Sequence, residues 1–149
     1  MTLAVLAPVP GRAVDLATVP DPVFSEGMVG PGRAVDPERG PLTAVSPVAG
    51  TVVKLHPHAF VVVADDGRGV LVHLGIDTVE LKGEGFELLI AEGARVQAGD
   101  PVVRWDAASV VAGGRSPSCP VIALDAQPDA LELRPEGPVA IGDELFVWR

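Results

Sequence analysis

The chain of 149 residues is predicted to fold as one all-β domain, a sandwich or a barrel, because three features of its sequence agree. Its 17 glycines and 15 prolines are spread along the whole chain. Between them lie short runs rich in Val, Leu and Ile, whereas no long segment keeps the 3.6-residue period of a helix. Two pairs of stretches also resemble each other, which indicates a duplicated unit.

The predicted strands are short β-branched runs bounded by turn-forming residues. In chain order they are "GRAVDL", "LTAVSPV", "GTVVKL", "AFVVVA", "GVLVHLGI", "FELLIA", "PVVRW", "CPVIAL" and "PVAIGDELFVWR". Single helical turns are expected near Asp106 to Val111 and within "AQPDALEL". We therefore expect one domain over residues 1–149, with at most short helical turns, in which residues 1–6 form a short N-terminal extension.

The internal resemblance involves two pairs of stretches. "APVPGRAV" (7–14) resembles "SPVAGTVV" (46–53), and "EGARVQAGDPVVRW" (92–105) resembles "EGPVAIGDELFVWR" (136–149). The second pair aligns two Gly-Asp dipeptides, at 99–100 and 142–143, and two tryptophans. Each member reads as strand, turn and strand, so we expect a duplicated β unit whose glycines take positive φ in equivalent turns.

Charge and composition exclude several classes of function. The net charge of -9 argues against nucleic acid and anionic membrane as partners, and it suits a protein partner with a basic patch. No apolar run approaches membrane-spanning length, and the N-terminus lacks the basic start of a signal peptide, so we expect a cytoplasmic protein without direct membrane insertion. The single cysteine, Cys119, excludes a disulfide framework and a thiol-based zinc site.

The three histidines are the main functional signal. In "FVVVADDGRGVLVHLGIDTVELKGEGF" (60–86), a two-residue turn at Asp66-Gly67 would place Phe60 opposite His73 and His58 opposite Gly75. A four-residue loop keeps this pairing, and a turn at residues 65–66 would set His58 directly opposite His73. All these registers put residues 56, 58, 73 and 77 on one face, whereas a three-residue loop would separate them.

In the first register His58 and His73 are diagonal neighbours within side-chain reach. Gly75 would leave a bare floor between them, and Phe60 and Leu71 would form the walls. Two chemistries suit such a site without a cysteine nucleophile. One is phosphoryl relay, in which a neutral imidazole accepts the group and a second imidazole stabilises it. The other is zinc binding by imidazoles and a carboxylate.

Three stretches closely resemble one family. "VHLGIDTVELKGEGF" (72–86), "VPDPVFSEGMVGPG" (19–32) and "SPVAGTVV" followed by "HAF" (46–60) are similar to the glucose-type enzyme IIA domain of the phosphoenolpyruvate-dependent sugar phosphotransferase system. The similarity runs from about Ala7 to the C-terminus. It implies an antiparallel β-sandwich built from duplicated motifs, and a stand-alone IIA phosphocarrier that needs no cofactor and no metal.

The resemblance also assigns roles. His73 would accept a phosphoryl group from the phosphocarrier HPr and pass it to a cysteine of the membrane-associated enzyme IIB, through a phosphohistidine intermediate. His58 would be the histidine that supports the phosphorylated ring. The expected partner-binding residues are Asp21, Val23, Phe24, Leu71, Gly75, Asp77 and Glu80. Docking on regulatory proteins according to phosphorylation state would be an added role, or the sole role if the chain is purely a binding module.

Two departures from the family pattern concern the site and the tail. Many relatives have threonine where His56 stands, and its hydroxyl is expected to orient the second histidine. Pro57 also removes a backbone donor, so the contacts behind His58 must be built differently. The chain begins almost at its first strand, which makes membrane contact through a tail doubtful.

A zinc peptidase of the lysostaphin-like type is the alternative from another class. His56-Pro57-His58 has the form H-x-H, and His73 to Asp77 has the form H-x-x-x-D. In those peptidases, however, the H-x-x-x-D element comes first in the chain. The flanking sequence fits the phosphotransferase family throughout, so we favour the phosphocarrier, with zinc at most an adventitious ligand.

Overall fold

The computed structural model describes residues 2–149 and contains fourteen strands joined mostly by tight turns. The strands are β1 (Leu3–Leu6), β2 (Gly11–Asp15), β3 (Gly32–Pro37), β4 (Pro41–Val45), β5 (Gly50–His56), β6 (Ala59–Val63), β7 (Gly69–His73), β8 (Phe86–Leu88), β9 (Arg95–Val96), β10 (Pro101–Asp106), β11 (Cys119–Ala123), β12 (Leu131–Leu133), β13 (Gly137–Val139) and β14 (Glu144–Trp148).

The strands form three antiparallel sheets. The large sheet has the order β13-β2-β3-β11-β7-β6-β5-β9, and the small sheets have the orders β1-β14-β12 and β4-β10-β8. One apolar core joins side chains of all three sheets, among them Val72, Trp105 and Phe146. The predicted all-β antiparallel sandwich is thereby confirmed.

The duplicated unit is present at the predicted places. Strands β9 and β10 enclose one Gly-Asp turn, and β13 and β14 enclose the other. Gly99 and Gly142 have φ values of 93° and 91°. In each turn the carboxylate, Asp100 or Asp143, accepts a 2.8 Å hydrogen bond from the backbone NH three residues before it. The same local sequence therefore builds the same turn twice.

The shorter resemblance, between residues 7–14 and 46–53, is explained by close packing of two glycines. A Cβ on Gly11 would lie 2.1 Å from the carbonyl oxygen of Asp36 on β3, and one on Gly50 would lie 2.2 Å from that of Val63 on β6. Only glycine fits where one strand crosses so close to its neighbour. The large sheet shows the same duplication in its strand order. Outward from β11 the strands are β3, β2 and β13, and outward from β7 they are β6, β5 and β9.

Two α-helices and three 3₁₀ turns complete the fold. They are α1 (Pro22–Ser25), α2 (Ala107–Ala112) and the 3₁₀ turns Leu16–Thr18, Thr78–Leu81 and Pro128–Ala130. The helical turns expected near Asp106 and in "AQPDALEL" are confirmed as α2, which Asp106 caps, and the third 3₁₀ turn. In the described part of the chain, no helix has the length and apolar character needed to cross a bilayer.

Residues Leu3–Leu6 lie within the stretch assigned to an N-terminal extension. They form β1 and pair with β14, so this part of the stretch is an edge strand of the fold.

A second apolar cluster covers part of the outer face of the large sheet. Residues 16–31, which connect β2 to β3, contribute Leu16, Val19 and Phe24 to it, and they pack against Ile122 of β11. Leu71 of β7 is partly buried against the same cluster. This cover ends beside His73, which leaves that residue at the edge of the protected face.

Candidate functional site

The hairpin that carries His73 has a different register from the predicted one. Ala59 pairs with His73, and Phe60 pairs with Val72. The backbone NH of Ala64 bonds the Arg68 carbonyl at 2.9 Å, so the loop contains the three residues 65–67. The prediction of a two- or four-residue loop was wrong because the glycine at 67 takes φ 92° at the end of the loop, the geometry typical of a three-residue connection.

His58 and His73 nevertheless lie together, because His58 is not in a strand. Strand β5 ends at His56 and β6 begins at Ala59, so Pro57 and His58 form a two-residue turn. A turn residue is free of the alternation of side chains that the register imposes on a strand. The ring centroids of His58 and His73 are 5.3 Å apart, and those of His56 and His58 are 5.7 Å apart.

The walls of the site differ from those predicted. The observed register turns Phe60 into the main core, where it is 1% exposed. The aromatic wall is instead Phe24, whose ring centroid lies 5.2 Å from that of His73 at 57°. Leu71 is partly buried against the second apolar cluster, which also contains Phe24.

Gly75 is not the open floor that the sequence predicted. It is buried with φ 79°, and a Cβ there would lie 2.7 Å from Cγ2 of Thr78 and 3.2 Å from the carbonyl oxygen of Ser116. A buried glycine offers no side-chain surface to a partner, so its predicted role in direct partner contact is corrected. Its carbonyl oxygen contacts Nδ1 of His73 at 2.5 Å.

This contact fixes the chemistry of the His73 ring. A carbonyl oxygen can only accept, so Nδ1 carries the proton and donates it, and Nε2 keeps its lone pair. Burial lowers the pKa of His73, while the Gly75 carbonyl and the carboxylates of Asp21 and Asp77 act in the opposite direction. The ring is therefore predominantly neutral at pH 7, with a nucleophilic nitrogen.

His58 is neutral for a related reason. Burial lowers its pKa, and the neighbouring imidazoles of His73 and His56 lower it further. The site therefore holds adjacent neutral rings, which fits the arrival of a negatively charged group. A dianion placed between His58 and His73 would make protonation of His58 favourable.

Acidic and apolar side chains surround the histidines. Asp21 caps α1 by accepting a hydrogen bond from the Val23 NH at 3.0 Å, and Val23 is 42% exposed. Asp77 is exposed with φ 60°, a left-handed conformation that asparagine and aspartate tolerate better than other side chains. Glu80 is exposed and lies 3.2 Å from the guanidinium of Arg115.

Two exposed apolar residues, one near α1 and one in the 3₁₀ turn after His73, were not predicted from the sequence. Met28, just after α1, is 70% exposed, and Val79, in the 3₁₀ turn after His73, is 58% exposed. Each stands close to other apolar residues in the sequence, Val29 beside Met28 and Ile76 and Leu81 near Val79. No regular spacing therefore marked either residue as exposed.

The zinc alternative finds no support. Among residues 2–149, no group of three or more His, Cys, Asp or Glu side chains is placed to hold a metal ion. The H-x-H and H-x-x-x-D patterns therefore do not assemble into a peptidase site. Cys119 is fully buried, and burial raises the pKa of its thiol to about 12, which makes it a packing residue and not a nucleophile.

Comparison with known proteins agrees with the geometry. Residues 3–128 match the family described as phosphoenolpyruvate-dependent sugar phosphotransferase system, EIIA 1. The glucose-specific EIIA component of Staphylococcus aureus (strain Mu50 / ATCC 700699) is 42% identical over 122 residues, which cover 80% of this chain and 72% of that protein.

Two further relatives extend the comparison. The glucose-specific EIICBA component of Streptococcus pneumoniae serotype 4 is 46% identical over 114 residues, 75% of this chain and 15% of that longer protein. The solved structure of the glucose permease IIA from Mycoplasma capricolum superposes with a TM-score of 0.92 at 36% identity, covering 100% of this chain and 97% of that one. The chain therefore belongs to the EIIA 1 family of the phosphoenolpyruvate-dependent sugar phosphotransferase system and is a phosphotransferase component that acts in phosphoryl transfer.

Proposed function

We propose that His73 accepts the phosphoryl group on Nε2 from phospho-HPr and passes it to a cysteine of enzyme IIB in the cytoplasm. The observation that carries this proposal is the contact between Nδ1 of His73 and the Gly75 carbonyl, because it leaves Nε2 as the one nitrogen of that ring with a free lone pair. Membership in the EIIA 1 family supports the reaction, and the local geometry supports the choice of atom.

The acceptance step makes one bond and breaks another. The Nε2 lone pair attacks phosphorus, a P–N bond to His73 forms, and the bond between phosphorus and the donor breaks with its electron pair returning to HPr. The neutral state of His73, which burial favours, keeps this lone pair available. The Gly75 carbonyl then stabilises the positive charge that develops on the ring, because it accepts the Nδ1 proton.

His58 is the residue we propose to stabilise the phosphoryl group. Its ring meets that of His73 edge to face, at 5.3 Å and 67°. The pKa of His58 is lowered in the free protein, so a dianionic group on His73 would reverse this shift and draw a proton onto the ring. The protonated ring donates to a phosphoryl oxygen and offsets charge as the group moves on.

The surroundings suit a partner with a basic, partly apolar surface. Asp21 and Asp77 act on His73 through their charge, and Glu80 extends the acidic margin. Exposed Val23, Met28 and Val79 supply apolar area on the neighbouring helix and turns. Such a face would attract basic residues of HPr and IIB and would exclude water from the phosphoryl group after docking.

Intact mass after incubation with phosphoenolpyruvate, enzyme I and HPr tests the proposal. The wild type should gain one acid-labile phosphoryl group, and His73→Ala should gain none. His58→Gln is the matched control, since it removes a neighbouring imidazole but should still be labelled, with slower transfer to IIB. Labelling of His73→Ala at the wild-type level would overturn the assignment.

A further inference from the structure

The site contains a third imidazole, His56, that the phosphoryl transfer just proposed does not use. Its ring lies nearly parallel to that of His58, with centroids 5.7 Å apart and an interplanar angle of 24°. His58 in turn meets His73, and Phe24 lies on the far side of His73. The four rings therefore form one continuous row that starts at the exposed end of β5 and ends in the second apolar cluster.

His58 is held in this row by contacts other than hydrogen bonds. Within residues 2–149, His73 is the one histidine whose ring is hydrogen-bonded to the protein. The backbone of His58 is fixed, because its carbonyl accepts from the Leu74 NH at 2.7 Å. Pro57 restricts the same turn and packs against the turn at Gly83, where a Cβ would lie 3.3 Å from Cγ of Pro57. Only the side-chain torsions of His58 are left to be restrained.

We infer that His56 is a positioning residue for phosphoryl transfer, and that it acts by stacking on His58. The inference rests on the proposed roles of His73 and His58. Offset-stacked rings at this separation attract each other, and the contact with His56 limits rotation of the His58 ring on the side away from His73. The ring thereby keeps a nitrogen directed toward the phosphoryl group without any hydrogen bond to the protein.

The stack acts on the position of the His58 ring and not on its charge, because the neighbouring His56 imidazole lowers the pKa of His58. In the transfer itself, the IIB thiolate sulfur attacks phosphorus, the P–N bond breaks, and its electron pair returns to Nε2 of His73. His56 exchanges no atom or proton in this step.

Transfer kinetics with three variants test the inference. The acceptor is the IIB portion of the Streptococcus pneumoniae EIICBA component, and the phosphorylated proteins are mixed with it in rapid-quench experiments. His56→Ala should lower the maximal transfer rate about three- to tenfold, the range that one ring contact supports, with the half-saturating IIB concentration unchanged within about twofold. His56→Phe keeps a stacking ring and should restore the rate. Lys54→Ala removes another exposed side chain from β5 and should transfer like the wild type.

Two kinetic results would overturn the inference. One is transfer by His56→Ala at the wild-type rate, and the other is an equal loss in His56→Ala and His56→Phe. Failure of the proposed function looks different, because the wild type itself would then take no label from HPr. Side-chain NMR of the unphosphorylated protein needs no transfer at all. The His58 ring should sample several rotamers in His56→Ala but one in the wild type and in His56→Phe, and unchanged rotamer populations would also overturn the inference.

Discussion

The two halves of the large sheet are built alike, but only one of them carries a site. Val35 and Val62 occupy equivalent places in the two repeats, since they pair with Ala13 on β2 and with Val52 on β5. Following the register outward from these pairs, Ile122 on β11 occupies the place that His73 occupies on β7.

The difference between the halves lies in one connection. Strands β2 and β3 are joined by residues 16–31, which fold over the sheet and bury Ile122 completely. Strands β5 and β6 are joined by only Pro57 and His58, so the same face stays open next to His73. The duplicated scaffold therefore carries the candidate site where the connection is short and polar, and is covered by apolar core where the connection is long.

The largest expected effect comes from truncating Phe24 in the segment 16–31 that covers the sheet. Phe24→Ala should lower the free energy of unfolding by about 3–5 kcal/mol, because it empties a buried aromatic site. It should also raise the pKa of His73, since Phe24 helps to keep water from that ring. Denaturant unfolding measures the first effect and an NMR titration of the imidazole measures the second.

The matched variant in the other half is Ile122→Ala. It should lower the free energy of unfolding by about 2–5 kcal/mol, because it also empties a buried apolar site. The titration of His73 should stay unchanged. An equal shift of the His73 pKa in both variants would show that the two halves are not distinct in the way described.

A pair of glycine substitutions sharpens the comparison at the site itself. Gly75→Ala combines a left-handed φ with a Cβ that would lie 2.7 Å from Cγ2 of Thr78, so the backbone that holds the 75 carbonyl against His73 must shift. Gly67→Ala has a similar φ of 92° at an open loop tip, and should cost only the conformational strain of about 1 kcal/mol. We expect Gly75→Ala to be less stable than Gly67→Ala by about 1–2 kcal/mol and to accept phosphate more slowly. Equal labelling rates for the two variants would argue against the carbonyl's role.

The smallest expected effect is on pH dependence. The folded-state pKa values of His73 and His58 lie below that of an exposed histidine, so the unfolded chain binds protons first as the pH falls. The two residues therefore contribute stability above about pH 6.5, and this contribution is lost as the pH falls through their folded pKa values. Between pH 7.5 and 5.5, the wild type should lose more unfolding free energy than the double variant His58→Gln/His73→Gln. Parallel pH curves would contradict this.

The sequence predicted the scaffold better than the register. Short β-branched runs and the repeated Gly-Asp turns define strands through local rules, so the all-β class, the duplication and α2 were accessible. The register of β6 on β7 depends on whether Asp65 belongs to the strand or to the loop, which local preferences do not decide. The prediction that His58 and His73 meet was confirmed, but the reason is the turn at Pro57 and not the assumed alternation.

The segment that covers β11 could not be predicted from the sequence, for a different reason. Its helix α1 has only four residues, too few to show a helical period. Phe60 lies in the core, and not in the wall of the site, because of the observed register of β6 on β7. Phe24 forms the wall because it belongs to the covering segment.

The most direct test is to locate the phosphoryl group by NMR on protein with ¹⁵N-labelled histidine, phosphorylated through HPr. We expect phosphorus coupled to Nε2 of His73, with Nδ1 still carrying its proton against the Gly75 carbonyl. Phosphorus on Nδ1 of His73, or on the ring of His58 or His56, would contradict this expectation.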